Sequence, residues 1–444
     1  MAYTTECVPQ QRFIEDIIVN KFVAVRKRPP LGVERRAGVT LEERRLLAIE
    51  AIDVIENAAD AERLESIGLS YVHPEDFNPE AENAFHRLPY VDAFVVETVD
   101  RHLAEQAREI LEDDYVVAPD VALGMPIPTA WTPTVREPDP SKRWPESTGV
   151  ALAHSKGVTG KGVIVGVLDT GCDADHIEFR GKRINFRYVP LNAVTDAMRA
   201  VRGFDVDGHG THVCGILAGE NIGIAPDCEL MVASVLESET LKTSLDRVII
   251  GLDWMLSQFS RPEHLSKPII INMSLGFPPE ALKLPAYRRA AEIFRKVLRT
   301  LTDDFGVLAV VAIGNDGVGQ MRAPGFYPEC LAVGAVDFEY NVADYSGGGI
   351  SPISGKSKPD IAGIGSDVVS AFERTMANRS RYVRMSGTSM ASPYVAGIAA
   401  LYASVKPDLQ GVDLRKRLVS SALPLRDGPD RVGAGLARYV NYGG

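Results

Sequence analysis

The sequence predicts an α/β protein: a large part built on a parallel sheet buried on both faces, preceded by a smaller α+β unit. Three observations carry that expectation. In the C-terminal two-thirds, continuous apolar runs alternate with helical segments, and a strand that is apolar on both faces needs helices above and below it. Prolines crowd residues 124–145 and interrupt both patterns. Before that interruption, short strand and helix patterns suit a small unit of antiparallel type.

Taken in order, "KFVAVRKRP" (21–29) reads as a strand. Residues 41–66, "LEERRLLAIEAIDVIENAADAERLES", combine helical periodicity with strong helix formers. "YVDAFVVETV" (90–99) reads as a strand, "DRHLAEQAREILED" (100–113) as a helix with Asp100 as its N-cap, and "YVVAPDVAL" (115–123) as a last strand. The span "GMPIPTAWTPTVREPDPSKRWP" carries Pro126, Pro128, Pro133, Pro138, Pro140 and Pro145. Such density excludes helix and central strand and predicts extended, exposed backbone. The expected organisation is therefore a domain over 1–123, a linker over 124–145 and a second domain over 146–444. In the second domain "GVIVGVLD" (162–169), "LMVASVL" (230–236), "PIIINMSLG" (268–276), "GVLAVVAIGN" (306–315) and "CLAVGAV" (330–336) are the candidate buried strands.

Bulk properties narrow the function. The 444 residues are 45% hydrophobic and carry a formal net charge of -11. An acidic chain repels phosphate, so nucleic acid is not expected as a partner. No run of 18 apolar residues occurs, so no membrane span is expected. The N-terminal residues "MAYTTECVPQQRFIEDIIVNKF" lack the apolar centre of a secretory signal. Five cysteines, Cys7, Cys172, Cys214, Cys228 and Cys330, form an odd set without a CxxC pair. Together these features point to a reducing, cytoplasmic setting.

Open α/β sheets gather functional groups beyond the carboxyl ends of their strands. Asp169 closes one candidate strand, Ser274 follows another and Asn315 a third. His209, in "DGHGTHVCGILAG", falls at a helix start, as does Ser389, in "RMSGTSMASPYVAG". Pro393 suits the first turn of that helix, where N–H groups lack intrahelical partners. A serine hydroxyl is a weak nucleophile until a base takes its proton, and a histidine can take it and return it to a leaving amine. A carboxylate can hold the imidazole in the required tautomer, and an amide such as that of Asn315 can donate to a developing oxyanion, with the Ser389 N–H as a second donor.

The segments "VLDTG", "GHGTHVCG" and "GTSMASP" resemble the three signature motifs of the subtilisin-like serine proteases, in that family's order of Asp, His, Ser. "INMSLG", "VAIGNDG" and the closing "GAGLARYVNY" are similar to further family segments, so the resemblance covers roughly 145–444. It implies a three-layer subtilisin-like catalytic domain and an endopeptidase that works through an acyl-enzyme. By motif, Asp169 orients, His209 is the base, Ser389 attacks and Asn315 donates to the oxyanion. Ser274, Leu275, Gly276 and Gly314 would bind the substrate backbone. The resemblance also makes residues 1–123 a propeptide-like domain, an intramolecular chaperone and inhibitor cleaved near 121–126, with a segment over 30–89 longer than the family usually needs. No cofactor is required for such chemistry. Structural calcium is considered at the acidic cluster Asp173, Asp175 and Glu178, although the short "LAGENIGIAPD" leaves little room for the family's usual loop. Cys214 is expected to be a small buried hydrophobe, and His176 and His212 to be structural. Asp205, Asp207, Glu237, Ser238 and Glu239 are candidate acidic walls that would attract basic substrate residues. Two rival readings are a subtilisin-like transpeptidase or processing enzyme and a catalytically silent binding module.

Overall fold

A computed structural model describes residues 18–27, 40–55, 59–76, 78, 81–126, 128, 130–134, 144–191, 196–237, 243–375, 377 and 379–441. Cys7, Ser238 and Glu239 lie outside these residues.

The N-terminal unit runs β1 (Ile18–Arg26), α1 (Leu41–Ile55), α2 (Ala59–Ser66), β2 (Ser70–Tyr71), β3 (Asn83–Leu88), β4 (Ala93–Thr98), α3 (Arg101–Glu112) and β5 (Tyr115–Asp120). Its sheet has the order β2-β3-β4-β1-β5, antiparallel except between β2 and β3. Period-2 geometry splits β1 between two cores. Phe22 and Ala24 meet Leu103, Ala107 and Leu111 of α3, while Val23 and Val25 join a core shared with the larger domain. That sharing explains why "FVAV" is apolar throughout. Asp100 caps α3 as expected, its Oδ1 accepting from the His102 N–H at 2.8 Å. The span 41–66, expected to be helical, holds α1 and α2, with 56–58 outside the described residues.

The chain continues through β6 (Ala122–Leu123) and β7 (Ala130–Thr134) into the larger domain. That domain comprises α4 (Val150–Ser155), β8 (Ile164–Asp169), β9 (Ile184–Tyr188), α5 (His209–Ala218), β10 (Glu229–Ser234), β11 (Thr243–Ser244), α6 (Leu245–Phe259), β12 (Ile269–Met273), α7 (Pro285–Arg299), β13 (Leu308–Ala312), β14 (Leu331–Val336), β15 (Gly349–Ile350), β16 (Ser357–Lys358), β17 (Ile361–Ile364), β18 (Val368–Phe372), β19 (Arg381–Ser386), α8 (Thr388–Val405), α9 (Gly411–Ser421) and α10 (Pro429–Val432). Seven parallel strands in the order β17-β14-β13-β12-β8-β10-β9 form its sheet. Residues of α6 and α7 pack on one face, and residues of α5 and α8 on the other. The expected three-layer α/β architecture is therefore present. The five expected strands are β8, β10, β12, β13 and β14. The two edge strands were not foreseen: β9 alternates with polar residues, and β17 is four residues long with a glycine inside it.

The same face of the sheet that carries α6 and α7 receives the N-terminal sheet. Val23, Val95 and Ala118 share one apolar core with Val248, Leu252, Ile293 and Phe294. Helix α1 reaches a separate place on the larger domain. Arg45, fully buried, donates through Nε to the Phe305 carbonyl at 2.8 Å and through Nη1 to those of Leu265 and Lys267 at 2.6 and 2.9 Å. Part of the extra length over 30–89 is thus a second anchor.

Two expectations are corrected here. Residues 124–145 are not simply an exposed linker. Met125 and Pro126 are buried, Gly124 pairs with Gly276, and β7 joins β19 as an antiparallel strand. Proline can occupy β7 because that strand lies at the edge of its small sheet, of order β18-β19-β7. Pro393 is not in the first turn of its helix but is the sixth residue of α8. Its missing N–H frees the Ser389 carbonyl, which accepts from Ser274 Oγ at 3.4 Å.

Candidate active site

Three parallel strands end at the site. Strand β8 ends on Asp169, Ser274 follows β12, and Asn315 lies three residues past β13. Helices α5 and α8 begin there, with His209 as the first residue of α5 and Ser389 as the second of α8.

His209 Nδ1 donates to Asp169 Oδ1 at 2.7 Å, with both side chains fully buried. The Thr170 N–H donates to the same oxygen at 2.8 Å. Glycines permit this approach. A Cβ on Gly210 would lie 2.2 Å from the Gly171 carbonyl oxygen, and one on Gly208, at φ +98°, would strike the Phe372 ring. Asp205 ties the assembly together. Its carboxylate accepts from the Thr211 N–H and Oγ1, both at 2.6 Å, from Thr170 Oγ1 at 2.8 Å and from the Gly208 N–H at 3.0 Å. It satisfies N–H groups at the start of α5 while bonding the loop after β8.

Ser389 is fully buried, and its Oγ makes no hydrogen bond among the described residues. Asn315 is held from one side. Its Oδ1 accepts from the Thr388 N–H and Oγ1 at 2.9 and 2.8 Å, which turns Nδ2 towards the cleft. There Nδ2 donates to the carbonyl of Pro126 at 3.2 Å.

Pro126 belongs to a segment that crosses the site. Ala122 and Leu123 pair with Ser244 and Thr243, and the Leu245 N–H donates to the Val121 carbonyl. Gly124 and Gly276 exchange two backbone hydrogen bonds of 3.0 and 3.3 Å. The chain therefore lies as a strand between β11 and Gly276, passes Asn315 and leaves along β19, which leads directly to Ser389. Of the residues expected to bind substrate, Gly276 bonds this segment. Ser274 instead supports the Ser389 carbonyl. The Leu275 side chain is buried, and the Gly314 N–H donates to Thr388 Oγ1 at 3.3 Å. Among the described residues, neither Leu275 nor Gly314 bonds the segment. Thr388 and Thr170 escaped the sequence reading, and Asp205 was read there only as an acidic wall. Thr388 adjoins Ser389 and had that signal, whereas Asp205 and Thr170 act through tertiary neighbours.

The acidic groups have other work. Asp205 forms the clamp just described, and Glu237 pairs with Arg247 at 2.7 Å and accepts from Tyr188 at 3.0 Å. Neither is a wall awaiting a basic substrate. Asp173 is bound by Arg374 at 2.9 Å, Asp175 by Arg202 and Arg374, and buried Glu178 by Tyr382 and the Asn221 N–H. These carboxylates do not fit a calcium ion, which would have to displace two guanidinium groups. No group of three or more His, Cys, Asp or Glu among the described residues is arranged to hold a metal. Cys214 is fully buried beside Cys172, and burial pushes both thiols up. His176 and His212 bond backbone carbonyls.

Comparison with known proteins identifies the chain's relatives. A profile of the subtilase family (Peptidase_S8) matches residues 160–443. The chain is 46% identical over 372 residues to the subtilisin-like protease PopC of Myxococcus xanthus, covering 80% of this chain and 77% of that protein. That similarity extends beyond the profile match into the N-terminal region. It is 32% identical to an intracellular serine protease of Paenibacillus polymyxa over 62% of this chain and 79% of the relative. A solved cold-adapted subtilisin-like serine proteinase aligns with TM-score 0.50 and 27% identity, over 64% of this chain and 91% of that one.

Proposed function

The chain belongs to the subtilase family, and from that premise we propose that it is a serine endopeptidase acting through Asp169, His209 and Ser389, restrained by its own N-terminal region. One observation carries the reading. Asn315 Nδ2 holds the carbonyl of Pro126 in a segment strand-paired to Gly276, as an oxyanion donor would hold the carbonyl of a substrate.

In this reading His209 accepts the Ser389 proton as Oγ attacks a substrate carbonyl carbon. Asp169, fixed at 2.7 Å, keeps the imidazole Nδ1 protonated and steadies the imidazolium that forms. Negative charge grows on the carbonyl oxygen, and Asn315 and the backbone N–H at the head of α8 stabilise it. His209 then protonates the leaving amine, and water repeats the sequence on the acyl-enzyme. None of these steps requires a metal or cofactor.

Restraint follows from occupancy. The segment 121–126 fills the strand-binding edge that a substrate would use. Its register aims attack at the bond after Pro126. Proline lacks the N–H that would continue the strand pairing at that residue, so the segment is held as a poor substrate. The described cysteines are all free thiols. Together with the intracellular naming of the Paenibacillus polymyxa relative, that favours a cytoplasmic setting. No helix among the described residues is long and apolar enough to cross a membrane.

Intact-mass spectrometry tests the reading. Wild type incubated after purification is expected to yield a fragment beginning at Ile127, and Ser389→Ala to remain whole. Equal processing of both would remove Ser389 from the mechanism.

A further inference from the structure

Arg322 occupies a place in the cleft that neither the chemistry above nor the strand pairing uses. Its backbone is pinned on both sides. The Arg322 N–H donates to the Ile313 carbonyl at 3.0 Å, and the next carbonyl, of Ala323, accepts from the Phe277 N–H at 2.8 Å. Its side chain runs through the gap between the two segments that flank the bound strand. A Cβ on Gly314 would come within 3.0 Å of Arg322 Cγ, and one on Gly276 within 3.3 Å of Arg322 Cβ. The guanidinium is then locked, with Nε and Nη2 forking onto the two Asp316 oxygens at 2.7 and 2.9 Å. Planar, bidentate pairing of this kind fixes orientation as well as charge. Only 14% of the side chain is exposed. The remaining arm, Nη1, donates to the Met125 carbonyl at 3.2 Å. That carbonyl immediately precedes Pro126, whose own carbonyl Asn315 holds.

We infer that Arg322, braced by Asp316, floors the subsite for the residue on the acyl side of the scissile bond and restricts that residue to small, uncharged side chains. The inference rests on the peptidase reading and adds its substrate class. Three physical arguments support it. The gap between Gly276 and Gly314 is already filled by the Arg322 stem, so an aromatic or long aliphatic side chain finds no volume there. A charged side chain of either sign would be buried against an Arg322–Asp316 pair whose charges already satisfy each other, and would lose its hydration without a counter-charge to offset that cost. The residue at this place in the bound segment, Pro126, is itself small and uncharged.

The test uses purified full-length protein and peptides that differ only at the acyl-side residue: Ala, Phe, Lys or Glu. For wild type, kcat/KM with Ala should exceed each of the others by about tenfold or more, within the range that pocket volume can supply. Arg322→Ala, with Arg322→Ser as a second variant, should narrow the Ala-to-Phe ratio by about tenfold through a gain on Phe, whereas Arg322→Lys should keep it wide. Wild type cutting after Phe or Lys as readily as after Ala would overturn the assignment. So would an unchanged ratio in Arg322→Ala and Arg322→Ser. A fluorophosphonate adduct on Ser389, measured in the same samples, separates the two levels. An adduct with an unchanged ratio overturns the role of Arg322 alone, while no adduct in any sample overturns the peptidase reading and this assignment with it.

Discussion

Asn315 joins the two halves of the site, because Thr388 takes its oxygen and leaves its nitrogen for the carbonyl in the cleft. Replacing it with leucine keeps the volume and removes the donor. The expected result is a loss of about 10²–10³ in kcat with little change in KM, the size of loss known for removing one such donor in this family. Steady-state kinetics on one peptide checks it, and a loss confined to KM would assign Asn315 to binding. Pro126 acts in the opposite sense. Pro126→Ala restores a backbone N–H to the strand, so self-cleavage after residue 126 should accelerate, read as the rate at which the full-length mass disappears. Asp169, His209, Ser389 and Asn315, to which the proposed mechanism assigns its roles, stand out in the sequence because each sits in a short local motif at a strand end or helix start. Asp205 was not. Its side chain could be read as an acidic wall until the fold showed it bonding Thr211, Thr170 and Gly208 at once. Arg322 was silent for the same reason, since its partners span Asp316 and Met125.

Among the elements, β8, β10, β12, β13 and β14 were legible because strands buried on both faces are apolar at every position. The edge strands β9 and β17 were not, because an edge needs less apolar surface. The Pro-rich span misled, since proline excludes a central strand but not an edge strand such as β7. Helix α1 shows what local pattern cannot reveal. Arg45 is exposed or buried depending only on whether a socket of carbonyls lies opposite it. Burial, only partly opposed by the Glu42 carboxylate, pushes its pKa down to about 10, so it remains charged at neutral pH. Arg45→Ala should leave the Phe305, Leu265 and Lys267 carbonyls without this donor. Each buried acceptor left unsatisfied costs about 1–3 kcal/mol, so the N-terminal unit should become markedly more sensitive to limited proteolysis while the larger domain remains resistant.

Helix α6 carries the pH dependence of the same interface. Its Asp253 accepts from the Tyr90 and Val91 N–H groups at 2.7 and 3.0 Å, and burial raises its pKa from 3.8 to about 7, against smaller opposing pulls from those two N–H bonds and from Arg87. Nearby Asp120 is also pushed up, by burial and by Asp246. Lys21, which bridges to Asp246 at 2.7 Å, keeps its charge throughout. A carboxyl whose pKa is raised on docking binds its proton more tightly in the docked state. Between 3.8 and about 7 docking therefore weakens as pH rises, whereas at still lower pH protonation of Asp246, which Lys21 holds below its usual range, loosens the Lys21 bridge. Dissociation of the N-terminal unit after cleavage, followed by size-exclusion chromatography, should increase across that interval and level off above it. Asp253→Asn should flatten the profile.

At the scale of the whole molecule, two units are joined by a chain that passes through the site itself. The N-terminal sheet completes its apolar packing only against α6 and α7, and the connecting segment fills the cleft between β11 and Gly276. The α/β class was legible from the apolar runs. The path of the connection was not, because it depends on backbone pairing between residues more than a hundred positions apart. The central claim is that Ser389, served by His209 and Asp169, is a nucleophile facing the carbonyl that Asn315 holds. Its most direct measurement is peptide mapping after exposure of full-length wild type and Pro126→Ala to a fluorophosphonate. The account predicts an adduct on Ser389, more abundant in Pro126→Ala and strongly reduced in His209→Ala. An adduct on another residue, or none in either wild type or Pro126→Ala, would contradict it.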